Sequence, residues 1–153
     1  MSDAPPPSDA GATRNPGLET RNCVEVSAGL IFRGGKLLIA QRHAEAHLGG
    51  LWEFPGGKRE AGESFEQCLI RELQEELGVT VVVGELFETV DHVYPDKAVH
   101  LRFFLCQISD GEPQACGCAA VRWVSRTELE RFEFPAADAG LLVKLRQLEK
   151  FWR

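Results

Sequence analysis

The chain has 153 residues, 44% of them hydrophobic and 26% charged, which is typical of one globular domain with a sizeable core. Its formal net charge of −6 argues against a protein that binds a nucleic-acid duplex, because such proteins rely on basic surfaces. No apolar run approaches the length needed to span a membrane. Five cysteines, an odd number, in a chain whose start lacks the apolar core of a signal peptide predict reduced thiols and a cytoplasmic location.

The first segment differs in composition from everything that follows it. Residues 1–22 contain Pro5-Pro6-Pro7 together with serine, aspartate, glycine and asparagine, and almost no apolar side chain. This composition predicts a disordered tail, because such a segment has too little apolar surface to form a core. We therefore expect the folded domain to occupy residues 23–153.

Strands dominate the first half of the predicted domain. Residues 24–32, 36–41, 52–54, 79–83 with 85–91, 99–108 and 120–124 are rich in β-branched and large apolar side chains. Turns are expected at Gly34-Gly35 and Asp110-Gly111, and residues 43–50 are expected to form a loop. Strands mixed with two substantial helices predict an α/β or α+β sandwich.

The first predicted helix follows the glycine turn at residues 55–57. Ser64 and Gln67 are spaced as a capping box at its start, and Gly78 is placed to end it in a left-handed conformation. Residues three and four apart lie on one face of a helix, so the segment has an apolar stripe and a separate acidic face. The stripe consists of Leu69, Leu73 and Leu77, and the acidic face of Glu72, Glu75 and Glu76.

Two further helices are predicted near the end of the chain. Ser125 is expected to cap a brief helix over residues 126–131, and residues 136–150 are expected to form a second long helix. The second helix would place Leu141, Leu142, Leu145 and Leu148 on one side.

The acidic face of the first helix is the strongest functional signal. An acidic stretch is usually a solvated surface, but three like charges at this spacing repel each other unless a cation lies between them. Ligands that are all oxygen favour a hard cation, Mg²⁺ first and Mn²⁺ second. Arg71 and Glu63 add charges near this face and could hold a ligand in position.

Residues 57–79 match, without departure, the Nudix box G-x5-E-x7-R-E-U-x-E-E-x-G-U, where U is a bulky aliphatic residue. The matching positions are Gly57, Glu63, Arg71, Glu72, Leu73, Glu75, Glu76, Gly78 and Val79. Residues 28–31, 41–42, 51–57, 122–124 and 134–138 follow the order seen in the MutT branch, so the resemblance covers roughly residues 23–150. The chain thus resembles the MutT-like Nudix hydrolases, which implies an α/β/α sandwich with a mixed sheet between helices.

This resemblance implies Mg²⁺-dependent hydrolysis of a nucleoside triphosphate to the monophosphate and pyrophosphate. It assigns Glu72, Glu75, Glu76 and the carbonyl of Gly56 as metal ligands, and Glu72 is the first choice for orienting or deprotonating the attacking water. Many relatives carry another acid on the loop before the strand at residues 120–124. Here no acid lies between Glu112 and that strand, so either the box glutamates suffice or Glu112 substitutes.

The substrate-binding residues implied by the resemblance are Arg42, Lys97 and Asp138, where the MutT branch has asparagine at the last position. An ionised Asp138 only accepts hydrogen bonds, which suits the N1 and N2 hydrogens of guanine or the amine of cytosine. A protonated Asp138 would both donate and accept, as 8-oxoguanine requires. Alternatively, Asp138 caps the last helix. Three aromatic residues could stack on a base or belong to the core, namely Phe54, Tyr94 and Phe134.

Several functions therefore stay open. The leading hypothesis is a sanitising pyrophosphohydrolase for 8-oxo-dGTP or a related (d)NTP, and the main alternative is the same chemistry on (d)CTP or modified cytidine triphosphates. Dinucleoside polyphosphates and capped RNA are weaker alternatives, and a non-catalytic nucleotide-binding module is an alternative of another class. The expected partner is a small nucleotide, and the chain could be a monomer or a homodimer.

Overall fold

The computed structural model describes residues 23–153, so the predicted disordered tail lies outside the described residues. The elements in chain order are strands β1 (Cys23–Arg33), β2 (Lys36–Gln41), β3 (Trp52–Glu53) and β4 (Gly56–Lys58), helix α1 (Phe65–Leu77), strands β5 (Thr80–Val93), β6 (Ala98–Asp110) and β7 (Ala120–Val124), 3₁₀ turns at Glu128–Arg131 and Ala136–Asp138, helix α2 (Ala139–Gln147), and a 3₁₀ turn at Glu149–Trp152. Within this part of the chain, no helix is both long and apolar enough to cross a membrane.

The strands form one mixed sheet with β1 near its centre. The order is β3-β2-β1-β6-β5, β4 pairs with β1, and β7 pairs with β2. Strands β1 and β6 are parallel, whereas the other pairs are antiparallel. Ser27 and Ala28 of β1 lie opposite Gly57 and Gly56. This pairing holds the glycine turn at the middle of the sheet, next to the start of α1.

Both faces of the sheet are covered, because successive side chains of a strand point to opposite sides. In β2, Leu38 and Ala40 belong to one buried cluster, and Leu37 and Ile39 belong to another. The helix residues in these clusters are Leu69, Leu73 and Leu77 from α1 and Leu141 and Leu145 from α2. Each helix therefore covers one face, which confirms the predicted α/β/α sandwich.

The ends of α1 agree with the sequence prediction. The hydroxyl of Ser64 accepts a hydrogen bond from the amide of Gln67 at 3.0 Å, and the Gln67 side chain accepts one from the amide of Ser64 at 2.8 Å. Gly78 ends the helix with φ of 71°, and its amide donates to the carbonyl of Gln74 at 3.0 Å. These contacts satisfy backbone groups at both ends and fix the orientation of the acidic face.

The prediction of one long helix over residues 136–150 is wrong. The segment begins as a 3₁₀ turn, continues as α2, and leaves the helical conformation at Leu148, where φ is −100° and ψ is 85°. This break lets Phe151 and Trp152 pack on Phe32 of β1, with ring centroids 5.1 Å apart in both pairs. The aromatic contacts replace the last turn of a continuous helix.

One smaller difference concerns the segment after β7. The brief helix predicted over residues 126–131 is a 3₁₀ turn at Glu128–Arg131. The hydroxyl of Ser125 accepts a hydrogen bond from the amide of Glu128 at 3.3 Å, and the carboxylate of Glu128 accepts one from the amide of Ser125 at 2.8 Å. The strand predicted over residues 79–83 and, past Gly84, over residues 85–91 is β5, and its register with β6 shifts between Val83 and Leu86, where a bulge accommodates Gly84.

Candidate active site

Arg71 is the centre of the acidic face of α1. Its guanidinium donates to Glu63 at 2.7 and 3.1 Å, to Glu72 at 3.1 Å, to Glu75 at 3.3 Å and to the carbonyl of Lys58 at 3.0 Å. The hydrogen bonds from Arg71 are the main reason that the pKa of Glu63 is lowered to about 2. Arg71 and Glu63 therefore hold the loop before α1 against the helix, as positioning residues.

Two box glutamates lie against the glycine turn. The carboxylate of Glu76 accepts a hydrogen bond from the amide of Gly56 at 3.3 Å. The carboxyl group of Glu72 lies so close to Gly57 that a Cβ atom there would collide with it. A Cβ on Gly56 would likewise collide with the carbonyl of Ser27 in β1. Only glycine allows this close approach of carboxylates, turn and strand.

A third carboxylate, Glu53 of β3, belongs to the same acidic group. Burial, and after it the charge of Glu53, raise the pKa of Glu76 to about 8. Burial also raises the pKa values of Glu72 and Glu53, the latter despite an ion pair with Arg42 at 2.9 Å. Carboxylates that are buried together resist ionisation, and a cation would relieve their repulsion.

Glu75 is more exposed than Glu72 and Glu76. Its side chain is 61% exposed and interacts with Arg71, while Glu72 and Glu76 reach the glycine turn. Among residues 23–153, no three histidine, cysteine, aspartate or glutamate side chains converge closely enough to hold an ion by themselves. A metal ion would therefore need further oxygen ligands, such as a backbone carbonyl or a phosphate.

A pocket extends from the glycine turn to the residues that precede α2. It is lined by Arg42, His47, Glu53, Phe54, Gly56, Gly57, Lys58, Tyr94, Lys97 and Asp138, among others. Phe54 forms part of its apolar wall and stacks on Phe134, with ring centroids 5.1 Å apart and an interplanar angle of 28°. The four substrate-binding residues predicted from the sequence, Arg42, Phe54, Lys97 and Asp138, thus line one cavity.

Asp138 is the most unusual residue of this pocket. Its side chain is 6% exposed, and in the described part of the chain it makes no hydrogen bond and no ion pair. Burial, and after it the charge of Glu53, raise its pKa to about 7. The alternative that Asp138 caps the last helix is wrong, because no side-chain capping hydrogen bond is present. A buried carboxyl group without a partner is costly, which points to a ligand.

Basic groups line the same pocket. Arg42 donates from Nε to the carbonyl of His47 at 2.6 Å and from its terminal nitrogen to Glu53 at 2.9 Å, so it fixes one wall. Burial lowers the pKa of Lys97, and the positive charge of Lys58 lowers it further. Two ammonium groups that repel each other in one pocket favour an anionic ligand between them.

Glu112 does not contribute to the pocket lining. Its carboxylate is paired with Arg33 at 2.6 and 3.3 Å. The loop that follows it is tied to the end of α1, because the amides of Cys116 and Gly117 both donate to the carbonyl of Glu76 at 3.0 Å. This loop therefore supplies backbone contacts to the helix, and the acids near the glycine turn come from α1 and β3.

The family model described as NUDIX domain matches residues 27–144 of this chain. The chain belongs to the NUDIX domain family. It is 36% identical over 126 residues to the 8-oxo-dGTP diphosphatase of Escherichia coli K12, an alignment that covers 82% of this chain and 98% of the relative. It is 40% identical over 119 residues to the CTP pyrophosphohydrolase of the same organism, covering 78% and 88%.

A solved relative shares the fold of this Nudix protein. The solution structure of the E. coli ORF135 protein superposes with a TM-score of 0.72 and 38% identity, covering 86% of this chain and 94% of that chain. The mixed sheet between helices is therefore that of the Nudix fold, and the prediction of a Nudix hydrolase is confirmed. Nudix hydrolases in general depend on a divalent metal, which agrees with the acidic group at the glycine turn.

Three pocket residues were not assigned a role from the sequence. Glu53 stands three positions before Gly56, so its place beside the glycine turn was a usable signal. Lys58 directly follows the two glycines, and a cation there could also have been expected to face a phosphate. His47 lies in the loop at residues 43–50, whose conformation no periodic pattern predicts.

Proposed function

We propose that this Nudix hydrolase is a Mg²⁺-dependent nucleoside triphosphate pyrophosphohydrolase that converts 8-oxo-dGTP or a related (d)NTP to the monophosphate and pyrophosphate. The supporting observation is one continuous pocket with two chemically different ends. Glu72 and Glu76 lie at the glycine turn, and the buried carboxyl group of Asp138 lies at the other end. A nucleotide has the same polarity, with phosphates at one end and a hydrogen-bonding base at the other.

The residues at the glycine turn fit a hard divalent cation. Glu72, Glu76 and the carbonyl of Gly56 would hold it, with Glu75 adding charge nearby, and the substrate phosphates would complete its ligands. When bound there, Mg²⁺ or Mn²⁺ would supply positive charge to the phosphate oxygens. The oxygen-only donor set and the mutual repulsion of the buried carboxylates support this assignment.

The chain's own residues perform the remaining steps in this proposal. Glu72 orients or deprotonates the attacking water, because its carboxylate is fixed between Arg71 and Gly57. Lys58 and Lys97 bind the polyphosphate and stabilise the charge of the leaving pyrophosphate. Arg71 keeps the carboxylates in position, and its own guanidinium is held by hydrogen bonds to Glu63.

The base end supports two substrates. With a pKa of about 7, Asp138 is protonated in a substantial fraction of molecules at neutral pH. In that form it both donates and accepts, which matches the O6 atom and the N7 hydrogen of 8-oxoguanine. In its ionised form it accepts from the amine of cytosine. The 40% identity to a CTP pyrophosphohydrolase favours (d)CTP or a modified cytidine triphosphate as the second candidate.

The experiment is a substrate panel with purified full-length protein. Plain and 8-oxidised (d)NTPs are incubated with Mg²⁺, and the nucleoside monophosphate and pyrophosphate are measured. We expect the highest kcat/KM for 8-oxo-dGTP, loss of turnover with a chelator, and recovery on adding Mg²⁺. A preference for cytidine nucleotides would make (d)CTP or a modified cytidine triphosphate the substrate in place of 8-oxo-dGTP. If no nucleotide released monophosphate and pyrophosphate, the catalytic proposal would be refuted.

The cellular setting follows from the same proposal. Hydrolysis of 8-oxo-dGTP removes a mutagenic precursor from the nucleotide pool, so the protein would act in DNA repair in the broad sense. All five cysteines are free thiols, which supports a reducing compartment such as the cytoplasm. We propose that residues 23–153 form the catalytic domain, with a small nucleotide as its ligand.

A further inference from the structure

Leu48, in the loop between β2 and β3, has an unusual backbone conformation. Among residues 23–153 it is the only residue other than glycine with a positive φ, at 58°. The Cβ atom of an L-amino acid makes this left-handed conformation unfavourable, most of all when the side chain is bulky. Such a conformation persists only where the surrounding structure imposes it, and it is concentrated at ligand sites.

Backbone hydrogen bonds hold the loop in this shape on both sides of Leu48. The carbonyl of His47 accepts from Nε of Arg42 at 2.6 Å, and the carbonyl of Leu48 accepts from the amide of Leu51 at 3.3 Å. The amide of Arg42 donates to the carbonyl of Leu51 at 2.9 Å, and the amide of Gly50 donates to the carbonyl of Arg42 at 3.2 Å. The position of Leu48 is therefore set by its neighbours.

The loop does not require a leucine at this position. The two following residues are glycines that the loop needs, since a Cβ on Gly49 would collide with the carbonyl of Ala44 and Gly50 has φ of 81°. Glycine would also adopt the backbone of position 48 without strain. Within the described part of the chain, Leu48 belongs to neither of the two buried clusters. Neither the loop nor the core thus accounts for its side chain.

Leu48 lines the pocket of the candidate active site. It is half-buried, whereas every other residue from 43 to 50 is exposed. The strand residues Val26, Leu101 and Phe103 give the same pocket an apolar surface. An apolar side chain gains nothing from contact with a phosphate, but it can pack on the flat face of a base, which has little polar surface.

We propose that Leu48 is a substrate-binding residue whose side chain packs against the face of the nucleobase. This inference rests on the proposed function, because it assigns a further contact to the same nucleotide. The base would lie between Leu48 and the apolar strand residues, with its edge toward Asp138. The unfavourable backbone is then retained because the ligand, and not the fold, requires the leucine.

The first test measures the kinetics of Leu48→Gly, Leu48→Ala and Leu48→Met on the preferred (d)NTP. Glycine and alanine remove the proposed contact, whereas methionine keeps an apolar side chain of similar volume. We expect the KM to rise about tenfold in the first two variants and less than about threefold in Leu48→Met, with little change in kcat. Ala46→Gly is the control for loop flexibility and should keep the KM of the wild type, because Ala46 is exposed and does not line the pocket.

A second measurement locates the contact at the base. Inorganic tripolyphosphate carries phosphates and no base, and it is used with Mg²⁺ as an inhibitor of nucleotide hydrolysis. We expect Leu48→Gly to change its inhibition constant less than about twofold, and to raise the inhibition constant of the nucleoside monophosphate product about tenfold. An equal loss of affinity for both inhibitors would overturn the inference, because the loop and not a base contact would then be affected.

Stability gives a readout that does not depend on activity. Alanine keeps the unfavourable left-handed backbone at position 48, whereas glycine adopts it freely. In urea titrations we therefore expect a higher midpoint for Leu48→Gly than for Leu48→Ala, the reverse of the order where φ is negative. A lower midpoint for the glycine variant would overturn the inference, since no strain would then be retained for the ligand.

The outcomes separate this inference from the proposed function. If the wild type hydrolyses nucleotides while Leu48→Gly and Leu48→Ala keep its KM, the inference is overturned and the proposed function stands. The same holds if Ala46→Gly raises the KM as much as Leu48→Gly does. Inactivity of the wild type toward every nucleotide would instead refute the proposed function, and with it the inference that rests on it.

Discussion

Replacing Asp138 with asparagine should stabilise the protein, and more so at higher pH. The ordinary pKa of this carboxyl group is 3.8, and burial raises it to about 7 in the folded protein. Folding therefore favours the protonated form, and the free energy of unfolding falls as the pH rises between these values. A shift of about 3 units at 1.36 kcal/mol per unit corresponds to about 4 kcal/mol, lost in full above the folded pKa.

Asparagine has nearly the same shape and no charge to desolvate. The quantity to compare is the free energy of unfolding of Asp138→Asn minus that of the wild type. We expect this difference to be about 4 kcal/mol larger at pH 8 than at pH 4. The other titratable and charged groups that line the pocket are Arg42, His47, Glu53, Lys58, Tyr94 and Lys97. They are present in both proteins, so their own titrations largely cancel in the difference.

The assay is urea unfolding followed by circular dichroism at a series of pH values. Asp110→Asn, which removes an exposed carboxyl group at the end of β6, is the matched control and should follow the wild type at every pH. A difference between Asp138→Asn and wild type that stays constant with pH would show that Asp138 is not held in a buried, proton-binding environment. Asp138 would then not be the buried proton-binding group proposed to recognise the base.

Three further predictions concern α1 and the glycine turn. Glu72→Gln should lower kcat by about a hundredfold or more, whereas the kcat of Glu112→Gln should stay within about twofold of wild type. Equal losses of kcat in the two variants would contradict the prediction that the box glutamates, and not Glu112, are needed for hydrolysis. Gly57→Ala should lower kcat at least about tenfold, because the added Cβ displaces the Glu72 carboxyl group, with circular dichroism as the check that the fold is kept. Ser64→Ala should reduce the free energy of unfolding by about 1 kcal/mol in urea titrations, and an unchanged midpoint would refute the contribution of the capping box.

The helix α1 could be predicted from the sequence because its determinants are local. The capping pair Ser64 and Gln67, the terminal Gly78 and the leucine stripe all lie within the segment itself. The end of the second helix depends on distant residues, since Phe151 and Trp152 leave the helical path to pack on Phe32. The spacing of residues within a segment does not predict such contacts with distant residues.

The same difference between local and long-range determinants applies to the candidate active site. The glutamates proposed to bind metal belong to a fixed frame of residues, whereas the surroundings of Asp138 come from segments far apart in the chain. Its raised pKa depends on burial and on Glu53, and Tyr94 of the same pocket lies in the β5–β6 turn. The sequence left the role of Asp138 undecided between base recognition and helix capping. The fold shows that its side chain does not cap α2.

The hydrogen bonds of Arg71 have a consequence for how such proteins diversify. Every partner of this guanidinium lies between Lys58 and Glu75, so its hydrogen-bond network is built within one short stretch of chain. Beyond the glycine turn, the pocket is lined by separate segments around Arg42, Tyr94 and Asp138. Under the proposed function, mutations in those segments change the nucleotide that is selected while the network around Arg71 is kept.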